Sequence, residues 1–186
     1  MGRFTKVSQD TFNEIQLEAG LILNQFDPAG TAEVEDSHIV CATTGGIEIA
    51  CKPTFTDYAE DIDNLPSGVL EFKEVDGFDC SIAFTALNAS AEVIKLALGV
   101  ADISGNKITP RFDMSKADTK DIWWVGERAG GGFVACHLKN ALSTEGLTLK
   151  TTKNGKGQIS CTLTGHVSIT AQNEVPMEFY VMEGAN

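Results

Sequence analysis

The stretch Thr85-Ala-Leu-Asn-Ala-Ser-Ala-Glu-Val-Ile-Lys-Leu-Ala-Leu-Gly99 decides the fold class, because it alone reads as a helix in a chain otherwise patterned as strands and turns. Asn88 or Ser90 suits the N-cap. Glu92 lies near the positive end of the helix dipole, Lys95 lies nearer the negative end, and Gly99 offers the left-handed residue that ends the helix. Ala89, Val93, Leu96 and Ala97 recur at helical spacing, a narrow stripe of mostly small residues that fits a helix lying against a sheet.

Upstream, Val69 to Thr85 reads as a long strand or a hairpin, with Asp76-Gly77 at the expected turn and Cys80, Ile82 and Phe84 on one face. Before it, Ile47, Ile49 and Cys51 alternate with Glu48, Ala50 and Lys52, a strand with one apolar and one polar side. Residues 53–68 between them read as a long irregular loop, and loops of that length are usually functional or mobile. Its acids Asp57, Glu60, Asp61 and Asp63 do not make a calcium loop. Leu65 falls on the fifth position, and the sixth lacks the required glycine. Nearer the N-terminus, residues 1–13 read as a polar arm carrying isolated Phe4 and Phe12. A strand is expected through Ile15, Leu17 and Ala19, a turn at Asp27-Pro28-Ala29-Gly30, and a second strand from Val34 to Thr43 that Gly45-Gly46 breaks.

Downstream, a looser region around Ser104-Gly105-Asn106 and Pro110 leads to Asp121-Ile-Trp-Trp-Val125. Adjacent strand residues face opposite ways, so one of Trp123 and Trp124 can enter the core. The other is either an exposed interface anchor or is covered by a loop of its own chain. Gly130-Gly131-Gly132 lacks the Gly-Lys-Ser/Thr of a phosphate loop and reads as a hairpin turn. Cys136 and His137 are strand neighbours on opposite faces and cannot share a proton, and His38 and His166 stand alone. Asn154-Gly155 marks a hairpin, Ile159 to Thr170 a long half-buried strand, and Met177 to Met182 the last strand. The sum is a mainly β chain, an antiparallel β-sandwich or half-open barrel with one flanking α-helix.

The 186 residues are expected to form one domain, with an arm at about 1–13, a loop at 53–68 and a short tail at 183–186. A net charge of −12 with no basic stripe argues against gripping nucleic acid, which depends on Lys and Arg releasing counterions from phosphate. An acidic surface can instead line a path along which DNA passes without sticking. Five widely spaced cysteines, Cys41, Cys51, Cys80, Cys136 and Cys161, read as reduced core residues rather than a disulfide or zinc set. The N-terminal stretch has no apolar signal region, Lys6 breaks the myristoylation pattern, and no run is long enough to span a bilayer. Cytosolic synthesis is expected.

Thr43-Thr-Gly-Gly-Ile-Glu-Ile49, the stretch from Pro53 through Asp61-Ile-Asp-Asn-Leu-Pro-Ser-Gly68, Asp121-Ile-Trp-Trp-Val-Gly126 and Phe133-Val-Ala-Cys-His-Leu-Lys-Asn-Ala-Leu142 together resemble the major tail tube proteins of long-tailed, siphovirus-like bacteriophages of Gram-positive hosts. Leu163-Thr-Gly-His-Val167 and Val175-Pro-Met-Glu-Phe-Tyr-Val181 are similar too, so the resemblance covers most of the chain. It implies the tail-tube fold, hexameric rings stacked into a hollow tube for DNA ejection, and a place in the virion tail after assembly in the host cytoplasm. The implied partners are other copies of the chain, the tape measure protein, and the tail terminator and distal tail proteins. Double-stranded DNA would pass without specific binding. No cofactor, metal, membrane or active site is implied.

The resemblance makes Asp57, Tyr58, Glu60, Asp61, Asp63 and Asn64 an inter-subunit loop and the terminal arms aids to ring stacking. Phe4, Phe12, Trp123 and Trp124 are the candidate interface aromatics, and Glu48 and Glu71, on the polar sides of their expected strands, the candidate lumen acids. Two rivals stand beside it. One is a tube subunit of a contractile tail or secretion system. The other is a monomeric carbohydrate- or ligand-binding sandwich, for instance one using Trp123 or Trp124 as a stacking platform. An enzyme is not expected, since no catalytic constellation passes the geometric tests.

Overall fold

Ser90 caps the helix. Its hydroxyl accepts from the backbone N–H of Val93 at 3.3 Å, and Gly99 ends the helix at φ 78°. Asn88, the other candidate, accepts through Oδ1 from the N–H of Ala42 at 2.9 Å and ties the approach to the helix onto the neighbouring strand, whose Thr43 lies opposite Ala86. The helix α2 (Ala91–Leu98) therefore starts six residues after Thr85, which with Ala86 completes the preceding strand. Val93 and Ala97 are fully buried, with Ile94 and Leu96 packed at the margin, while Ala89 lies outside the helix and is exposed.

The computed structural model describes residue 4 and residues 6–30 and 33–184. Among these, a one-turn helix α1 (Thr11–Glu14) precedes β1 (Gln16–Leu23) and β2 (Ile39–Cys41), then the long pair β3 (Thr43–Asp57) and β4 (Lys73–Ala86). After α2 come β5 (Ala101–Ser104), β6 (Lys107–Pro110), β7 (Lys120–Arg128), β8 (Gly132–Ser143), β9 (Thr148–Lys150), β10 (Gln158–Thr164) and β11 (Met177–Glu183). All pairings are antiparallel. The main sheet runs β2-β1-β7-β8-β10-β4-β3, with β11 also on β8 and β9 also on β10.

Strand β8 makes the fold a half-open barrel. Its first part pairs with β7 and β11, whereas Leu142 and Ser143 pair with β10. Between these parts a bulge at Asn140, φ 47°, lets the strand leave one sheet and enter the other. Asp121 Oδ1 accepts from the Asn140 N–H at 2.9 Å and holds the bulge. The two sheets and α2 enclose a core containing Ile22, Ile82, Val93, Ile122, Leu138 and Leu163, each worth about 1.5–3 kcal/mol of transfer free energy. A smaller cluster of Leu23, Phe26, Trp123 and Ala135 covers the other face of the β1–β7–β8 sheet. Ile22 and Leu23 are consecutive and both fully buried because that sheet is covered on both sides.

Several sequence expectations change. Asp76-Gly77 is no hairpin turn. Strand β4 runs through it, and Asp76 is the extra residue of a bulge between the pairs Thr54–Gly77 and Phe55–Val75. Thr56 donates to Asp76 Oδ2 at 2.6 Å and fixes it there. Residues 53–57, expected in the loop, extend β3, which tolerates Pro53 because β3 lies at the sheet edge. Gly45 and Gly46, at φ 79° and 90°, likewise make a bulge rather than a break. The expected strand at Val34–Thr43 shrinks to β2, since the chain turns between sheets at Ala42.

The alternation at Ile15, Leu17 and Ala19 does not bury that segment. Glu18 and Gly20 take positive φ and shift the register between Leu17 and Leu21, so the buried residues are Ile22 and Leu23. Ser104-Gly105-Asn106 turns the hairpin β5–β6. Strand β10 stops at Thr164 instead of Thr170. The backbone of Gly165 runs so close to Leu138 that a Cβ there would sit 2.7 Å from Leu138 Cδ1, and the chain departs across the end of β8.

Candidate assembly surfaces

The β3–β4 hairpin outruns the core. Cys51 and Cys80 form its last cross-strand pair with a fully buried member; beyond it six more residues of β3, Lys52–Asp57, project over about 20 Å at the rise of a β-strand. Pairs in an antiparallel ladder share a face, so Pro53–Phe78 continues the core face of Cys51–Cys80. The Asp76 bulge then puts Val75, rather than a polar neighbour, opposite Phe55 on that same face. The result is an apolar stripe that continues the interior past the opposing sheet, with Phe55 56% exposed.

At the tip, the Tyr58 N–H donates to the carbonyl of Phe72 at 2.9 Å, and its hydroxyl donates to Glu74 at 3.1 Å, which raises the phenol's pKa. Asp57 Oδ1 accepts from the N–H of Ala59 at 3.0 Å, and Ala59 is buried. Turns closed by Ile62 N–H to Ala59 and Leu65 N–H to Ile62 order the rest. The tip thus holds its shape within the protomer and displays Tyr58, Glu60, Asp61, Asp63 and Asn64 to solvent. Glu71 is exposed there as well, on a 3-10 turn (Leu70–Phe72) and not on a strand as expected. Glu48 does lie on a strand. It stands on the outward face of β3, beside a shallow surface of small side chains that includes Ala83, Thr85, Ser160 and Thr162.

Of the two alternatives for the second indole the covered one holds, which leaves neither Trp123 nor Trp124 as an exposed interface aromatic. Trp123 and Trp124 are each only 8% exposed. Trp124 enters the main core and donates its Nε1–H to the carbonyl of Ala19 at 2.8 Å. Trp123 points the other way, meets Phe26 edge-on at 5.8 Å and stacks flat on His137 at 4.0 Å, so the segment of its own chain that carries Phe26 covers it. Neither indole is a platform for a sugar. The arm aromatics are exposed, Phe4 by 91% and Phe12 by 68%.

Other surfaces escaped the sequence reading. Strand β11 pairs only with β8 among the described residues, leaving an open edge, and it exposes Phe179 and Val181. Their alternation in Phe179-Tyr-Val181 was visible, but which of the two faces is covered depends on a distant element. Asp118 is buried. It accepts from the Ser115 N–H at 2.8 Å, from the Ser115 hydroxyl and from Arg111, which also binds Asp102 at 3.0 Å. The Ser115 backbone N–H, helped by Arg111 and opposed by burial, holds the Asp118 carboxyl below its ordinary pKa. This knot fixes a segment displaying Phe112 and Met114, and its sequence signal was the capping box Ser115-Lys-Ala-Asp118.

Between β8 and β11, Lys139 bonds Glu178 and lies 3.6 Å from Glu174; Tyr180 also donates to Glu178 at 2.8 Å. Those bonds, Lys139 first, lower the Glu178 pKa. Cys136 faces the main core while His137 stacks on Trp123 across the sheet, so the two are held apart. Burial pushes the Cys41, Cys80 and Cys136 thiols up to about 12 and Cys161 to about 11, which keeps them protonated. Among the described residues no helix is long and apolar enough to cross a membrane.

No family model matches the chain, and no curated protein sequence matches it. Among solved structures, a chain of the virion of a native gene transfer agent particle is similar with a TM-score of 0.42 and 13% identity, over 81% of this chain and 92% of that one.

Proposed function

We propose that this chain is a structural subunit of a virion tail tube, closing into rings, six to a ring, that stack into a conduit for DNA. The observation that carries the proposal is the outer half of the β3–β4 hairpin, an apolar stripe on an edge strand that no other strand among the described residues covers; Val167 and residues 172–176 only flank Val75 and Phe78, and Phe55 stays 56% exposed. A two-stranded ribbon in water is marginal alone, and an exposed edge invites pairing with another chain. Both properties suit a segment completed by a neighbour. Open edges at β3 and β11 would be covered in a cyclic assembly, where each subunit gives one edge and receives another.

The sequence resemblance supplies the specific form, a tail tube with the tip around Asp57–Asn64 reaching an adjacent subunit and the arm with Phe4 and Phe12 aiding the contact between rings. The tape measure protein would occupy the lumen during assembly, and the terminator and distal tail proteins would cap the ends. Glu48, on a smooth outward face of small side chains, is the stronger lumen candidate of the two acids proposed from sequence. Carboxylates there would repel phosphate and keep DNA moving. Electron microscopy of the purified protein over a range of concentrations tests the proposal. Rings or hollow tubes support it. A particle that stays monomeric at every concentration, and with a tail-tip extract added, overturns it.

A further inference from the structure

Charge is distributed along the β3–β4–β10–β9 sheet in a way that neither the fold nor the tube reading requires. Between Asp57 and Asp76, at the hairpin tip, the chain has seven carboxylates and one cation, Lys73. Between Gly146 and Asn173 it has no carboxylate at all, and Lys150, Lys153 and Lys156 cluster around the β9–β10 turn. All three lysines are exposed, and among the described residues neither they nor the tip carboxylates are ion-paired.

The strand register puts the two groups at opposite ends. Strand β4 starts at the acidic tip, where Lys73 stands opposite Asp57 in the strand register, and finishes at Ala86. Strand β10 runs the other way, with Ile159 opposite Ala86 and Thr164 opposite Ser81. Its preceding turn therefore lies beyond Ala86, about 45 Å from the tip along the 14 residues of β4. A molecule with unlike ends has a head and a tail. Contacts between head and tail are heterologous, and where the two ends face opposite ways along one axis such contacts repeat without closing, which is the geometry of a stack.

We infer that the lysine hairpin at one end of the sheet is the receptor for the acidic β3–β4 tip of a second copy in the next layer, so that electrostatic complementarity sets the polarity of stacking. The inference rests on the tube reading and adds to it the contact between rings. Like ends repel, so rings add in one orientation only, and the contact is exposed enough for salt to weaken it.

The test is charge reversal at each end, read by electron microscopy and sedimentation. The lysine variant carries Lys150→Glu, Lys153→Glu and Lys156→Glu; the tip variant carries Glu60→Lys, Asp61→Lys and Asp63→Lys. All six positions are exposed, and a circular dichroism melt confirms that each variant is folded. Each variant alone is expected to give single rings, with the concentration needed for stacking raised about a hundredfold, the scale of like charges brought together. An equimolar mixture should restore stacks with the two kinds of ring alternating, and wild-type stacks should shorten between about 0.05 M and about 0.5 M salt. Either variant stacking alone as the wild type does overturns this inference and leaves the ring reading standing. If no rings form from any protein, the ring reading fails. In that case the mixed variants still decide the contact, since a pair that does not sediment together refutes it.

Discussion

Strand β4 has two halves that differ in almost everything except backbone geometry. From Cys80 to Ala86 every second side chain is buried, with Cys80, Ile82, Phe84 and Ala86 under the opposing sheet and α2. From Lys73 to Asp79 none is buried, although the apolar face continues through Phe78 and Val75. The ladder to β3 is continuous across both halves apart from the Asp76 bulge. What changes is the second layer. Alternation specifies which face a strand buries, but whether anything lies on that face is decided by other elements or by other molecules.

The sharpest way to break this comparison is to truncate one β-branched apolar side chain in each half. Ile82→Ala is expected to cost about 2–5 kcal/mol, because a fully buried side chain leaves a cavity that the packed sheets cannot close. Val75→Ala should change the stability of the monomer by less than about 0.5 kcal/mol, as for other exposed sites. Urea unfolding of the two variants decides it. Equal losses would mean that the outer half already packs against something within the protomer.

Next in size is the Asp118 knot, which lies outside both halves and shows what a satisfied buried carboxylate contributes. Asp118→Asn keeps the shape but loses the ionic partner of Arg111 and charge-assisted bonds from Ser115, an expected cost of about 1.5–3 kcal/mol at neutral pH. The native carboxyl titrates below its ordinary 3.8, so the stabilisation is fully present above that value and is lost as pH falls through the lower native pKa. Wild type and Asp118→Asn should therefore converge in stability on acidification below the ordinary carboxyl range. A gap that stays constant down to strong acid would remove the ionic part of this account.

Smaller again is Ser90→Ala at the helix cap, expected to cost about 1 kcal/mol by thermal or urea unfolding. This cap also marks how much of the fold could be read from the chain. Helix α2, the alternation of Cys80, Ile82 and Phe84, the adjacent opposed tryptophans and the Gly130 turn are local signals, and local periodicity was enough to find them. The bulges at Gly45-Gly46 and Asp76-Gly77 were mistaken for breaks, because glycine with positive φ and Asp-Gly serve a turn and a bulge equally well and only the partner strand separates them. The burial of Trp123 depended on Phe26, far away in sequence, and the open edge of β11 on the full order of strands. Of the candidate site, the exposed acidic tip was legible from composition; the apolar stripe behind it was not, since the pairing of Phe55 with Val75 exists only once the bulge is known.

A small expected effect on the fold comes with a large expected effect on assembly, and both belong to one side chain. Phe55 is 56% exposed and lies opposite Val75 on the unpartnered stripe, so Phe55→Ser removes little buried surface in the monomer and should move its unfolding free energy by less than about 0.5 kcal/mol. In a ring the same ring face would be covered, and an aromatic anchor in a desolvated contact is commonly worth about 2 kcal/mol or more, roughly thirtyfold in the concentration needed to assemble. Sedimentation velocity across a dilution series measures the second quantity on the same sample whose melt gives the first. A variant that keeps its melting temperature and loses assembly locates the missing layer in a neighbouring copy. One that assembles normally would show that the stripe is not completed by other copies of this chain.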